Sequence, residues 1–293
     1  MAYNSGSQVT SPTITTSEFR GFFSLLMAVL EAGGVVKTAD TGQIDWSTVN
    51  VPSSNNVAAG YEIRRLSDGL QGTSPIYIKF EFGRGNGTPI MGLWVSFGTG
   101  SDGAGNLTGV RLARFLYEMS GAQGTYQLSA YADPSGFWIM AHRSVVSSSH
   151  LFLAERTTDA ERNPTTQGIN YIFNGGPAGI VASRHISNTG AVPPNDVLSG
   201  AALSGLFFPG NSFTSGLKAD GTVAIYPWFM FGHGEMMYPL LNVVGCFAGD
   251  FTDGQDYQIR VRGTDQTMIK IPNVFSASIS RGSTAAHLLL RTA

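Results

Sequence analysis

Pro75-Ile-Tyr-Ile-Lys-Phe-Glu-Phe82, followed by Gly83-Arg-Gly-Asn-Gly87 and Ile90-Met-Gly-Leu-Trp-Val-Ser-Phe97, is the stretch that decides the fold. Ile76, Ile78, Phe80 and Phe82 fall at every second position, so a strand puts them on one face and Tyr77, Lys79 and Glu81 on the other. The glycine-rich pentapeptide reads as a turn and the next apolar run as the returning strand, which together make a β-hairpin. Upstream, Tyr61-Glu-Ile-Arg-Arg-Leu66 alternates in the same way, with Ser67 to Ser74 as the connecting loop.

The plan repeats downstream. Gly124 to Tyr131, Gly136 to His142 and Ser149 to Glu155 read as strands, and Asp133-Pro134-Ser135-Gly136 between the first two is a turn in which proline presets φ. Thr157 to Gly168 is polar and reads as a loop, after which Tyr171 to Phe173 and Gly179 to Ala182 resume strand character. Val223 to Phe231, Met237 to Phe247, Tyr257 to Arg262, Met268 to Ile271 and Leu288 to Leu290 complete the set. One segment breaks the pattern. Phe19, Phe22, Phe23, Leu26 and Leu30 recur at three- and four-residue spacings, predicting an amphipathic helix with Ser17 as N-cap and Gly33-Gly34 as its stop. The expected fold class is α+β, mainly β: an antiparallel β-sandwich-like core with one N-terminal amphipathic helix packed on it. The expected layout is an extended Ser/Thr-rich arm over 1–16, a helix plus β-rich domain over 17–186, a Gly/Pro/Ser-rich connection over 187–222, and C-terminal strands over 223–293 belonging to the same fold.

Composition narrows the function. Of 293 residues 42% are hydrophobic and 11% aromatic, enough for a sizeable core. Only 13% are charged, about half the usual share. Such a surface suits a protein packed against copies or partners. The net charge is −2, and no basic cluster exceeds Arg64-Arg65, so a nucleic-acid footprint is not expected. The N-terminus lacks the basic and apolar regions of a secretory signal, and the apolar run Gly21 to Leu30 is too short for a bilayer, so no membrane association is expected. The single cysteine, Cys246, rules out an internal disulfide and a cysteine-based zinc framework, and its apolar setting reads as core.

The motifs that suggest chemistry are weak. Gly98-Thr-Gly100-Ser-Asp-Gly103 fits the dinucleotide pattern after a strand, but Ala104 to Gly109 continues as loop where a helix should open, so it reads as a hairpin loop. His233-Gly-Glu235 lacks a second histidine, and His142, His150, His185, His233 and His287 form no ligand spacing. Asp250, Asp253 and Asp256 could suit calcium in an oxygen-rich turn, though a solvated turn is the plainer reading. No G-x-S-x-G elbow occurs and no carboxylate pair stands out for glycoside hydrolysis. Trp46, Trp94, Trp138 and Trp228 lie in or beside strands, where core packing is the default and sugar stacking the alternative. No catalytic, cofactor-binding or metal-binding residues are therefore assigned, and no metal, nucleotide or covalent cofactor is expected; calcium at the three aspartates is the exception to watch.

Tyr61 to Gly85, then Leu93-Trp-Val-Ser-Phe-Gly-Thr-Gly-Ser-Asp-Gly-Ala-Gly-Asn-Leu-Thr-Gly109, resembles a group of tailed-bacteriophage virion proteins with the order amphipathic helix, strand, turn, strand, glycine-rich loop. Leu151-Phe-Leu-Ala-Glu-Arg-Thr157 is similar to a strand of that group, and residues 245–272 to its strand-rich end. The resemblance implies a non-enzymatic structural component of the virion, in the tail or baseplate, made in the bacterial host cytoplasm. Its partners would be other virion proteins and copies of itself, with the 1–16 arm lying on a neighbour. A host-receptor or glycan-binding virion module is the alternative, and a polysaccharide depolymerase the weaker one.

Overall fold

The structure is a computed structural model that describes residues 2–11, 15–85, 91–118, 124–143, 149–174, 181–187, 206–207, 226–231, 237–247, 251–252, 254–261, 263–270 and 286–293. The protein is mainly β, with antiparallel sheets and one N-terminal helix.

The first sheet has five strands in the order β2-β3-β4-β5-β8, namely β2 (Val35–Lys37), β3 (Val57–Leu66), β4 (Tyr77–Arg84), β5 (Met91–Gly98) and β8 (Leu112–Glu118). The β4–β5 hairpin runs in unbroken register from Tyr77↔Gly98 to Arg84↔Met91, as the alternation requires; the turn tip, 86–90, lies outside the described residues. A two-stranded hairpin, β6 (Gly100–Ser101) with β7 (Leu107–Thr108), sits between β5 and β8.

The second sheet has six strands in the order β1-β9-β10-β11-β12-β13: β1 (Ala2–Ser11), β9 (Gly124–Asp133), β10 (Gly136–Arg143), β11 (Ser149–Thr158), β12 (Pro164–Asn174) and β13 (Val181–Ser187). The arm expected to lie on a neighbour is extended over Ala2–Ser11, but it is paired within the chain, against β9. The polar stretch 157–168 is also more ordered than expected. Thr158 pairs with Pro164, so the connection shrinks to Asp159–Asn163. Its threonines are β-branched and fit a pleated strand despite their polarity. The expected Asp133-Pro134-Ser135-Gly136 turn is present: Asp133 pairs with Gly136, and the Ser135 N–H donates to the Asp133 carboxylate at 2.8 Å.

Helix α1 (Thr16–Gly33) begins one turn-residue pair earlier than expected. Thr15, not Ser17, is the N-cap. The Glu18 N–H donates to Thr15 Oγ1 and the Thr15 N–H to Glu18 Oε2, a reciprocal capping box that Ser17 could not form. Gly34 closes the helix at φ 98°, in the left-handed region that glycine adopts without cost. All five stripe residues are buried.

The first and second sheets pack across one core, a sandwich-like pair with α1 seated between them. Phe80 of β4 meets Phe137 of β10 at 5.7 Å, and Phe97 of β5 meets Tyr171 of β12 at 6.0 Å. A third sheet lies on the other face of the second. Its order is β14-β15-β16-β19-β18-β17: β14 (Leu206–Phe207), β15 (Tyr226–Phe231), β16 (Met237–Phe247), β17 (Asp256–Val261), β18 (Thr264–Lys270) and β19 (Ala286–Arg291). The 187–222 connection, apart from Ser187 and Leu206–Phe207, lies outside the described residues. The second sheet is thus a middle layer. Gly136 to Ala141 and Leu151 to Thr158 are buried without a break, which explains why Phe137 to Ala141 and Leu151 to Ala154 are continuously apolar where β4 alternates.

Candidate functional site

The middle layer places the only charged pair of β11 on opposite faces, because successive strand residues alternate. Arg156 turns toward the first sheet. It is fully buried and grips Asp68 with both Nε and Nη2 (the latter at 3.0 Å), while Nη1 donates to the Ser74 carbonyl at 3.0 Å. Glu155 turns toward the third sheet and is also fully buried. Its carboxylate accepts the backbone N–H groups of Leu241 and of Asn242 (3.1 Å) on β16. Arg162, held at φ 63° in the turn before β12, donates to the carbonyls of Leu240 and Leu241. Thr158 donates to the Pro239 carbonyl. Four consecutive residues of β16 are therefore bonded by side chains from the end of the middle sheet.

Along the same seam, Trp138 donates its indole N–H to the Arg291 carbonyl at 2.7 Å, and Tyr131 stacks on Trp138 and donates to Asp133. Glu155, Thr158, Arg162 and Trp138 serve as fasteners: each bonds the backbone of the third sheet.

Burial raises the Glu155 carboxyl to about 7, against the pull of the two backbone N–H donors and of Arg162, with Asp133 adding to the rise. The folded protein therefore holds this proton more tightly than the unfolded chain, whose ordinary value is 4.5. Stability from this group is full below 4.5 and is lost as pH climbs through about 7. The expected loss is on the order of 3 kcal/mol. Denaturant titrations at stepped pH should show it, and Glu155→Gln should flatten the profile in that window. Parallel profiles for the two proteins would refute this assignment.

The other expected motifs take structural roles. Just after the G-x-G-x-x-G segment the backbone N–H groups of Ala104 and Asn106 donate to the Asp102 carboxylate, and that of Gly105 donates to Asp40. Within the segment the N–H groups of Thr99 and Asp102 donate to the Thr108 and Asn106 carbonyls, so these amides are already bonded within the chain. Burial works to raise the Asp40 carboxyl, but hydrogen bonds from Thr38, Ser101 and Gly105 outweigh it and hold it below the ordinary carboxylate range. Gly105 has φ 95°, and a Cβ there would sit 2.1 Å from the Tyr61 hydroxyl, so packing alone demands glycine.

Arg64, of the Arg64-Arg65 pair, is buried in an ion-pair network with Glu62 (2.7 Å) and Glu31 (2.8 Å), to which Lys37 and the Trp46 indole also contribute. Trp94 and Trp138 are buried and Trp46 is packed on the core; the Trp228 side chain lies outside the described residues. Asp250, Asp253, His233 and Glu235 also lie outside them, and Asp256, exposed, opens β17. The histidines His142, His150, His185 and His287 fall on four different strands, and Cys246 pairs in register with His287. Among the described residues no three of His, Cys, Asp and Glu gather as a metal would require, and no helix is long and apolar enough to cross a membrane.

Glu155, Arg156 and Arg162 carry the seam, yet in the sequence Glu155 and Arg156 stand out only within the resemblance of Leu151 to Thr157, and Arg162 not at all. The one signal for them is positional: a Glu-Arg pair closing the apolar run Leu151-Phe-Leu-Ala154 must send one charge to each face of a strand buried on both. No protein-family model matches the chain, and no curated protein matches its sequence.

Proposed function

We propose that the chain is a structural component of a bacteriophage particle, in its tail or baseplate, and that it works by protein–protein assembly with other virion proteins and with copies of itself. The observation that supports this most is where the charges go. The chain has 18 Lys and Arg and 20 Asp and Glu in 293 residues. Asp40, Glu62, Arg64, Asp133, Glu155, Arg156 and Lys270 are buried. Part of a charge content that is already low in the sequence is thus held inside, some of it fastening layers, and does not reach the surface. Self-repulsion keeps proteins apart in solution, whereas charge-depleted surfaces are a mark of the cores of interfaces. The resemblance of residues 61–109 and 151–157 to tailed-phage virion proteins supports the same reading.

The glycan-binding alternative has less support, because Trp94 and Trp138 are committed to the interior. Deleting the coding sequence from the phage that carries it should give incomplete particles by negative-stain electron microscopy, lacking tails or baseplates. Complete, infectious particles from the deletion would overturn the proposal.

A further inference from the structure

The third sheet ends on β17, which among the described residues has a neighbour on one side only, β18. Natural edge strands are usually guarded by a proline, a bulge or an inward-pointing charge. β17 reads Asp256-Tyr-Gln-Ile-Arg-Val261 and has none of these: its ladder with β18 runs from Asp256↔Ile269 to Val261↔Thr264 without a register shift. Tyr257, Ile259 and Val261 lie on the small core of Val244, Met268 and Leu289, while Asp256, Gln258 and Arg260 are exposed.

The direction of the backbone groups follows from β18. Thr267, the partner of Gln258, spends its N–H and C=O on Thr292 and Ala293, on the side away from β17. Gln258↔Thr267 is therefore a non-hydrogen-bonded pair, and in an antiparallel ladder such pairs alternate with bonded ones. The N–H and C=O of Asp256, Gln258 and Arg260 consequently point out of the sheet, toward the open edge.

We propose that this edge docks a second copy of the same edge, antiparallel, about a two-fold axis through Gln258. The strand is self-complementary in that register. Gln258 faces Gln258, Asp256 faces Arg260 of the other copy, and Tyr257 faces Ile259. The three outward-pointing residues all fall in hydrogen-bonded pairs, so the register uses every free backbone group they present. Arg260 already binds Asp265 across the hairpin at 2.8 and 3.0 Å. Docking sets it between Asp265 and the incoming Asp256, an alternating row of charges on the exposed face. On the inner face the half-buried Tyr257 and Val261 gain cover. The contact is isologous, and it joins two six-stranded sheets into one. This inference goes beyond the virion reading and does not need it, since it concerns the purified chain alone.

The test is sedimentation of purified full-length protein over a range of concentrations, with three variants. The wild type should show a concentration-dependent dimer. Asp256→Arg sets two arginines opposite each other and should weaken the dimer by at least about tenfold. Gln258→Pro removes an outward N–H without touching the β18 ladder and should do the same, with circular dichroism unchanged. Gln258→Cys brings two thiols together at the axis, where bonded partners lie about 5.5 Å apart at Cα, and should give a disulfide-linked dimer under mild oxidation, with the wild type and its lone Cys246 as control. A monomer at all concentrations with no Gln258→Cys cross-link overturns the proposal, and so does a dimer that Asp256→Arg and Gln258→Pro leave intact. Neither result bears on whether the chain belongs to a particle.

Discussion

Arg156→Ala should destabilise the protein by about 3–5 kcal/mol, because removing one partner of a buried ion pair strands the other. The guanidinium is fully buried, and Asp68 is nearly so, with 7% of its side chain exposed. The substitution leaves the Asp68 carboxylate with the Leu70 N–H and leaves the Ser74 carbonyl without the Arg156 donor. Arg156→Lys should recover little of the loss, since an ammonium cannot reproduce the fork that meets both Asp68 oxygens. The cost should fall when both charges go together. Asp68→Asn with Arg156→Met should be far milder than Arg156→Ala alone, because the expense lies in the orphaned charge. Denaturant unfolding of the set decides the matter. A loss below about 1 kcal/mol for Arg156→Ala would mean the pair is solvated.

Trp138→Ala should cost a similar amount, about 3–5 kcal/mol, through a different mechanism. The indole is fully buried on the face of β10 turned to the third sheet, stacked on Tyr131 at 6.3 Å, with its N–H on the Arg291 carbonyl. Alanine opens a cavity at the seam, whereas Trp138→Phe keeps much of the apolar contact and removes the indole donor from that carbonyl, which should cost about 1–3 kcal/mol. The two variants separate packing from bonding. A third sheet that docks without the middle layer would leave Trp138→Ala nearly neutral and the tryptophan fluorescence of the wild type that of an exposed indole.

These two positions also mark how far the amino-acid order can be read. β4 is legible because one of its faces is core and the other is only half-buried, so Ile76 to Phe82 alternates. α1 is legible from its stripe but its cap is not, because Thr15, Thr16 and Ser17 are all plausible caps and only the bond to Glu18 chooses among them. Leu112–Glu118 does not alternate, since Phe115, Leu116 and Tyr117 are consecutive, and it is a strand because β5 pairs with it. The middle layer was hidden by its own success. Burial on both faces erases alternation from β10 and β11, so a third sheet leaves no periodic trace. Glu155 and Arg156 are the clearest hint of it, yet their partners stand 86 to 88 residues away in sequence, and local pattern carries nothing over that distance. The glycine-rich loop reads as a hairpin and β6 and β7 form one, but its reason lies in Asp40, more than sixty residues before Gly105.

The direct measurement of the virion assignment is quantitative mass spectrometry of density-purified phage particles alongside the lysate they came from. The account predicts peptides of this chain in the particles, enriched with the tail fraction and at a fixed ratio to the other virion proteins. A chain abundant in the lysate and missing from the particles would contradict it.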